Sequence, residues 1–246
     1  MTKFFTNTFS FINLYKKNSI KSEIVTQLIY GENFSILKKN SKWLKIKIKE
    51  DNYKGYIQNK NFKEHLNPTH KIYKLKAKVY RFPSKQKKLS ELTFGSKIRV
   101  TAKKYKFFRF KKGWIDKNDL KPINYKEKNL FKKIKIFKNT KYKWGGTTFR
   151  GIDCSGLLQV CLKFNNKYCP RDAKDQVKYF KKKIKLSNIK KNDLIFWKGH
   201  VAVALTKKKL IHAYGPFKKT LVMNINKTIE RISKTAHLKV LSIKRI

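Results

Sequence analysis

The 246-residue sequence predicts an α+β protein: two small β-barrels followed by a larger domain with one helix and an antiparallel sheet. Short segments with apolar residues at every second position fill the first half, and they occur in two diverged versions. From about residue 125 the texture changes to a helix led by a cysteine, followed by alternating strands.

Taken in order, residues 1–19 read as an N-terminal extension, because Thr, Asn and Ser interrupt the aromatics of "MTKFFTNTFSFINLYKK". The first β unit, 20–66, contains "SEIVTQLIYGENFSIL", "KWLKIKIKE" and "NYKGYI"; Leu44, Ile46 and Ile48 alternate with polar residues. That strand density within about 45 residues implies a small antiparallel barrel. The second unit, 70–122, repeats the pattern: "LTFGSKIRV" echoes "TQLIYGENFSIL", and "GWIDKNDLKPI" echoes "KGYIQNKNF". Pro122 and the polar "NYKEKN" mark a boundary, after which the α+β domain spans 125–246. There Leu130, Phe131, Ile134, Ile136 and Phe137 suggest a helix, and "SGLLQVCLKF" predicts a better one, with Asp153 or Ser155 as its cap. "HVAVAL" and "LIHAY" read as strands joined at "TKKK", with a further strand in "HLKVLSI".

A hydrophobic content of 40% excludes a disordered chain, despite a net charge of +49. Such a charge would suit a polyanion partner. Only 7 of the 63 basic residues are Arg, however, and the lysines are scattered through a chain rich in Asn, Ile, Phe and Tyr. Nucleic-acid readers favour the planar fork of Arg. The composition therefore points to an AT-rich coding sequence, and no specific nucleic acid is expected as a partner. Cys154, Cys161 and Cys169 are odd in number and lack metal-ligand spacing, so neither a disulfide framework nor a metal or other cofactor is expected. No run approaches the roughly 20 apolar residues of a membrane span, and the N-terminus makes a poor signal peptide; the expected location is cytoplasmic.

Cys154 stands where the helix begins. Unpaired N–H groups and the helix dipole favour a thiolate there, which makes the position suited to a nucleophile. A nucleophile needs a base. His200 opens one predicted strand and His212 lies in the next, so a hairpin would make them cross-strand neighbours, one to face the thiol and one to orient the first. Two packed histidines in a sheet are an equally ordinary outcome of that pairing. Cys161 and Cys169 read as buried thiols, His65, His70 and His237 have no evident partner, and Trp144, Gly145 and Gly146 read as packing and a tight turn.

"YKWGGTTFRGIDCSGLLQ" resembles the signature of the NlpC family of bacterial cysteine peptidases, which have a papain-like core. "CPRDAKDQ", "GHVAVAL" and "LIHAYG" resemble that family's later segments, in the same order, and 20–122 resembles the bacterial SH3-like domains preceding the catalytic domain in peptide-recycling members. The resemblance implies hydrolysis of the bond between γ-D-glutamate and a diamino acid in small murein peptides bearing a free N-terminal L-Ala. It implies Cys154 as nucleophile, His200 as base, His212 as orienter and Tyr142 near the oxyanion. It further implies Asp153, Ser155 and Asp172 at the substrate ammonium, with Glu23 and Tyr53 from the first SH3-like domain. The ammonium assignment has independent physical sense, since a desolvated ammonium needs anionic partners and the chain has only 14 acids. The competing readings are an exported endopeptidase acting on the wall polymer, and a non-catalytic SH3-like binder of wall fragments.

Overall fold

The structure, a computed structural model, describes residues 3–64 and 67–246; His65 lies outside them. The chain divides into two compact units, Met1–Lys126 with Thr147–Phe149, and Glu127–Gly146 with Arg150–Ile246. Among the described residues no helix is long and apolar enough to cross a membrane.

The first unit contains both β patterns. Its first part is a seven-stranded sheet in the order Ile24–Ile29, Phe11–Tyr15, Lys54–Gln58, Trp43–Ile48, Asn33–Lys39, Phe4–Thr6, Lys63–Glu64. The alternation in Trp43–Ile48 buries Leu44, Ile46 and Ile48 beside Leu14, Leu28, Phe34 and Ile57, while the intervening lysines face outward. Within the segment read as an N-terminal extension, residues 4–6 and 11–15 are therefore strands of this sheet. Phe4–Thr6 pairs with Asn33–Ser35, and Phe11–Tyr15 pairs with Ile24–Ile29. Their period-two signal is short, with Ile12 and Leu14 turned inward between half-buried neighbours.

The second part has a five-stranded sheet, built from residues 76–80, 88–93, 102–104, 107–110 and 113–116, and a three-stranded one from 70–72, 97–98 and 120–122. Both parts of the first unit are thus built of sheets, and among the described residues no strand pairing closes either into a ring. Tyr30, from the first part, is buried in the core of the second with Ile72, Val79, Phe110 and Ile115. Beside it, Gly31 adopts a φ of +82°, and any Cβ there would run into the Lys97 carbonyl, so the seam demands glycine.

In the second unit the stripe at 130–137 forms only a 3₁₀ turn, Ile134–Phe137. Phe131, Ile134 and Phe137 are the buried residues, spaced by three, which matches a helix of three residues per turn better than one of 3.6. Helix α1, Cys154–Phe164, is buried at every residue except Lys163. Two further helices, α2 at Ala173–Tyr179 and α3 at Ile225–Ala236, accompany it. α3 carries apolar residues at 225, 229 and 232 behind an Asn224 cap, a helical signature that the reading of the sequence above did not use.

An antiparallel sheet completes the unit, in the order Lys219–Asn224, Lys209–Tyr214, His200–Ala204, Leu194–Trp197, Ser242–Lys244. Leu194–Trp197 is fully buried and shows no alternation, which hid it from a period-two search. The turn at 206–209 closes a hairpin, with the Leu205 N–H donating to the Lys209 carbonyl at 2.8 Å.

Candidate active site

α1 starts at Cys154 because Asp153 caps it: the Asp153 Oδ1 accepts from the Gly156 N–H at 2.7 Å. The helix packs against the strands that carry His200 and His212. Cys154 is 7% exposed, and its thiol donates to the Gly199 carbonyl at 3.9 Å while the Val201 N–H points at the sulfur. The nucleophile candidate is thus held against the backbone on both sides of His200.

The hairpin brings the histidines together. Val203 pairs with Ile211, and His200 and His212 each lie an odd number of residues from that pair, so both point to one face of the sheet. His200 Nε2 and His212 Nδ1 are 2.9 Å apart. His212 is wholly buried, stacked on Tyr214 at 4.7 Å between ring centroids, whereas His200 is partly exposed. Burial, opposed by the Asp153 charge, holds His200 well below the usual histidine range; burial and its neighbour His200 hold His212 to about 2.

The helix start was expected to lower the thiol's pKa. Instead, burial and then the Asp153 charge push Cys154 up to about 12, against the opposing pull of the Val201 and Ser155 N–H groups and Arg171. Burial outweighs the pull of the N–H groups at the helix start. It thus favours the neutral thiol and the neutral imidazoles. Tyr142 is raised by burial and by the nearby Cys154 and Asp153 charges, which places its phenol within electrostatic reach of the thiol. Its backbone bridges Ile152, and its ring lies over Gly215.

The acids near the nucleophile depart from the expectation. Asp153 is 5% exposed and Arg171 2%; their pair is bidentate, at 3.0 Å from Nη1 to Oδ1 and 2.5 Å from Nη2 to Oδ2. The Gly145 N–H also donates to Oδ2, and Arg171 Nη1 donates to the Ser155 hydroxyl at 2.8 Å. Asp153 and Ser155 are thus engaged by the protein's own Arg171, and a carboxylate matched to a guanidinium gains little from a second cation. Arg171 was visible only as part of the "CPRDAKDQ" segment. Asp172 differs: it stands at the N-cap of α2 without capping it through its side chain, and it is only half-buried. Arg171→Met should cost about 3–5 kcal/mol in urea unfolding, since it strands a buried carboxylate; a loss below about 1 kcal/mol would show that Asp153 does not depend on this partner.

Glu23 and Tyr53 belong to the first unit. Glu23 is exposed and pairs with Lys16 at 3.1 Å, and Tyr53 packs half-buried against the first core. Trp144 is not packed as expected but 61% exposed. Its glycine neighbours do make the turn: Gly145 has a φ of +69°, and a side chain at Gly146 would meet the Gly151 carbonyl. Cys161 and Cys169 are buried free thiols, His70 contacts Thr69 and Phe108, and His237 ends α3 in a left-handed conformation. Among the described residues no cluster of His, Cys, Asp or Glu could hold a metal ion.

Comparison with known proteins agrees with this geometry. Residues 139–238 match the NlpC/P60 family, and 14–62 match the bacterial dipeptidyl-peptidase Sh3 domain. The chain is 26% identical over 231 residues to dipeptidyl-peptidase 6 of Lysinibacillus sphaericus, covering 82% of this chain and 84% of that one. It is 25% identical over 236 residues to the γ-D-glutamyl-L-lysine dipeptidyl-peptidase of Bacillus cereus, covering 81% and 69%. The crystal structure of an NlpC/P60 family protein from Bacillus cereus superposes with a TM-score of 0.81 at 20% identity, covering 99% of both chains. With a papain-like unit whose helix starts at a cysteine and an SH3-like β part earlier in the sequence, this chain carries an NlpC/P60 peptidase domain over residues 139–238.

Proposed function

We propose that this peptidase hydrolyses the γ-D-glutamyl–diamino acid bond of short murein peptides with a free N-terminal L-Ala, as a step in cell-wall peptide recycling. The observation that carries the reading is the set of Cys154 fixed on either side of His200, with His200 2.9 Å from His212. Cys154 attacks the carbonyl, His200 takes the thiol proton and returns it to the leaving amine, and Tyr142 serves the oxyanion. Asp172, on the segment beside Arg171, is the acid best suited to the substrate ammonium, with Glu23 and Tyr53 proposed as further contributors. Both relatives named above are dipeptidyl-peptidases, which supports a short peptide over the wall polymer as substrate. A cytoplasmic location belongs to the same proposal; three free cysteines accord with a reducing compartment.

The test incubates the purified protein with L-Ala-γ-D-Glu-diaminopimelate and with its N-acetylated form, and reads products by mass. Release of L-Ala-D-Glu from the free peptide, with the acetylated one cleaved at least about tenfold more slowly, is expected, because acetylation removes the charge that Asp172 would meet. Cleavage of intact wall material with the free peptide untouched would favour the exported endopeptidase instead.

A further inference from the structure

We propose that Met223 is a positioning residue that sets the tautomers of both active-site histidines, through its contact with His212; this rests on the peptidase reading above. Met223 lies on the strand Lys219–Asn224, two residues along from the Leu221 that pairs with His212, on the same face. Its Sδ is 3.3 Å from His212 Nε2, while His212 Nδ1 is 2.9 Å from His200 Nε2.

A thioether accepts hydrogen bonds and has no proton to donate. At this distance the Met223 contact is favourable only when His212 carries its proton on Nε2. Buried and neutral, His212 has one ring proton, so its Nδ1 must then be the acceptor toward His200. His200 Nε2 therefore donates. A neutral His200 with its proton on Nε2 leaves Nδ1 bare, and Nδ1 is the nitrogen left to receive the Cys154 proton. The opposite assignment puts a bare His212 nitrogen against the sulfur lone pairs and a proton on His200 Nδ1, where the base should be. Met223 thus disfavours the inactive pair of tautomers. In the proton step itself the Cys154 S–H bond breaks and a His200 Nδ1–H bond forms, giving thiolate and imidazolium with no change of oxidation state.

Two variants separate this role from packing. Met223→Leu keeps the bulk and removes the acceptor, whereas Met223→Gln keeps similar length and supplies a carbonyl acceptor. The readouts are the ¹⁵N shifts of the imidazole nitrogens in the substrate-free protein, assigned against His212→Asn, and kcat and KM on L-Ala-γ-D-Glu-diaminopimelate. The wild type should show Nε2–H on both His200 and His212. Met223→Leu should show mixed tautomers, with kcat down about tenfold and KM within about twofold. Met223→Gln should recover the wild-type tautomers and most of kcat. A wild-type ¹⁵N pattern in Met223→Leu, or equal impairment of the two variants, overturns the proposal. If the wild type cleaves no such peptide, the peptidase substrate is wrong, but the ¹⁵N measurement still decides the role of Met223.

Discussion

Cys154→Ala is expected to lower turnover by about four orders of magnitude or more while the protein stays folded. The sulfur is the group proposed to form the acyl intermediate, and the neighbouring Ser155 hydroxyl is taken up by Asp153 and Arg171. Alanine, by contrast, is the best residue for a first helical position, and Asp153 still caps the helix. Only a small void remains at a site 7% exposed. Cys161→Ala is the control: it stands two helical turns further on, 1% exposed, with the Cys169 thiol as its neighbour. That variant should keep activity within about twofold and lose about 1 kcal/mol of stability. Turnover with thermal melting checks both. An inactive Cys161→Ala beside an active Cys154→Ala would remove the nucleophile assignment.

His200→Ala should follow closely, with a loss of about five orders of magnitude, because the proposed mechanism assigns the thiol proton to its imidazole. His212 acts at one remove. His212→Asn retains a polar group toward His200 Nε2 and should lose about ten- to a hundredfold, and His212→Ala, which opens a void at a wholly buried site, should lose more but stay above His200→Ala. The quantity to measure is kcat/KM for the three variants side by side. A His212→Ala enzyme less active than His200→Ala would reverse the assignment of base and orienter.

The parts of the site that were legible in the sequence are those set by local rules. An aspartate before a cysteine before an apolar run specifies a capped helix start, and two alternating segments around "TKKK" specify a hairpin; together they predict the histidine pair found at 2.9 Å. The role of Asp153 was not legible, because it depends on Arg171, 18 residues on and brought back only by the fold. The thiol's pKa was misjudged for a similar reason: the dipole is a local property, whereas burial is a tertiary one. Met223 was invisible because the register that puts its sulfur beside His212 is set by the pairing of two strands, not by spacing. Residues 11–15 and 194–197 were missed from opposite causes, one pattern too short and the other apolar on both faces.

α1 has ten of its eleven residues buried and so has no face of its own for water. A helix of that length is marginal in isolation, and one that is apolar all round does not persist in solvent. It becomes stable only when strands that follow it by 30 to 70 residues have closed around it, which makes its formation a late, long-range event in folding. On the proposed assignment, Cys154 as nucleophile and His200 as its base therefore come into being together, with the finished sheet. A chain interrupted in synthesis before residue 200 lacks the base, and a partly unfolded one loses the helix start that presents the thiol. On the proposed assignment neither should carry stray proteolytic activity, so the burial of the thiol would also tie the appearance of catalysis to the completion of the domain.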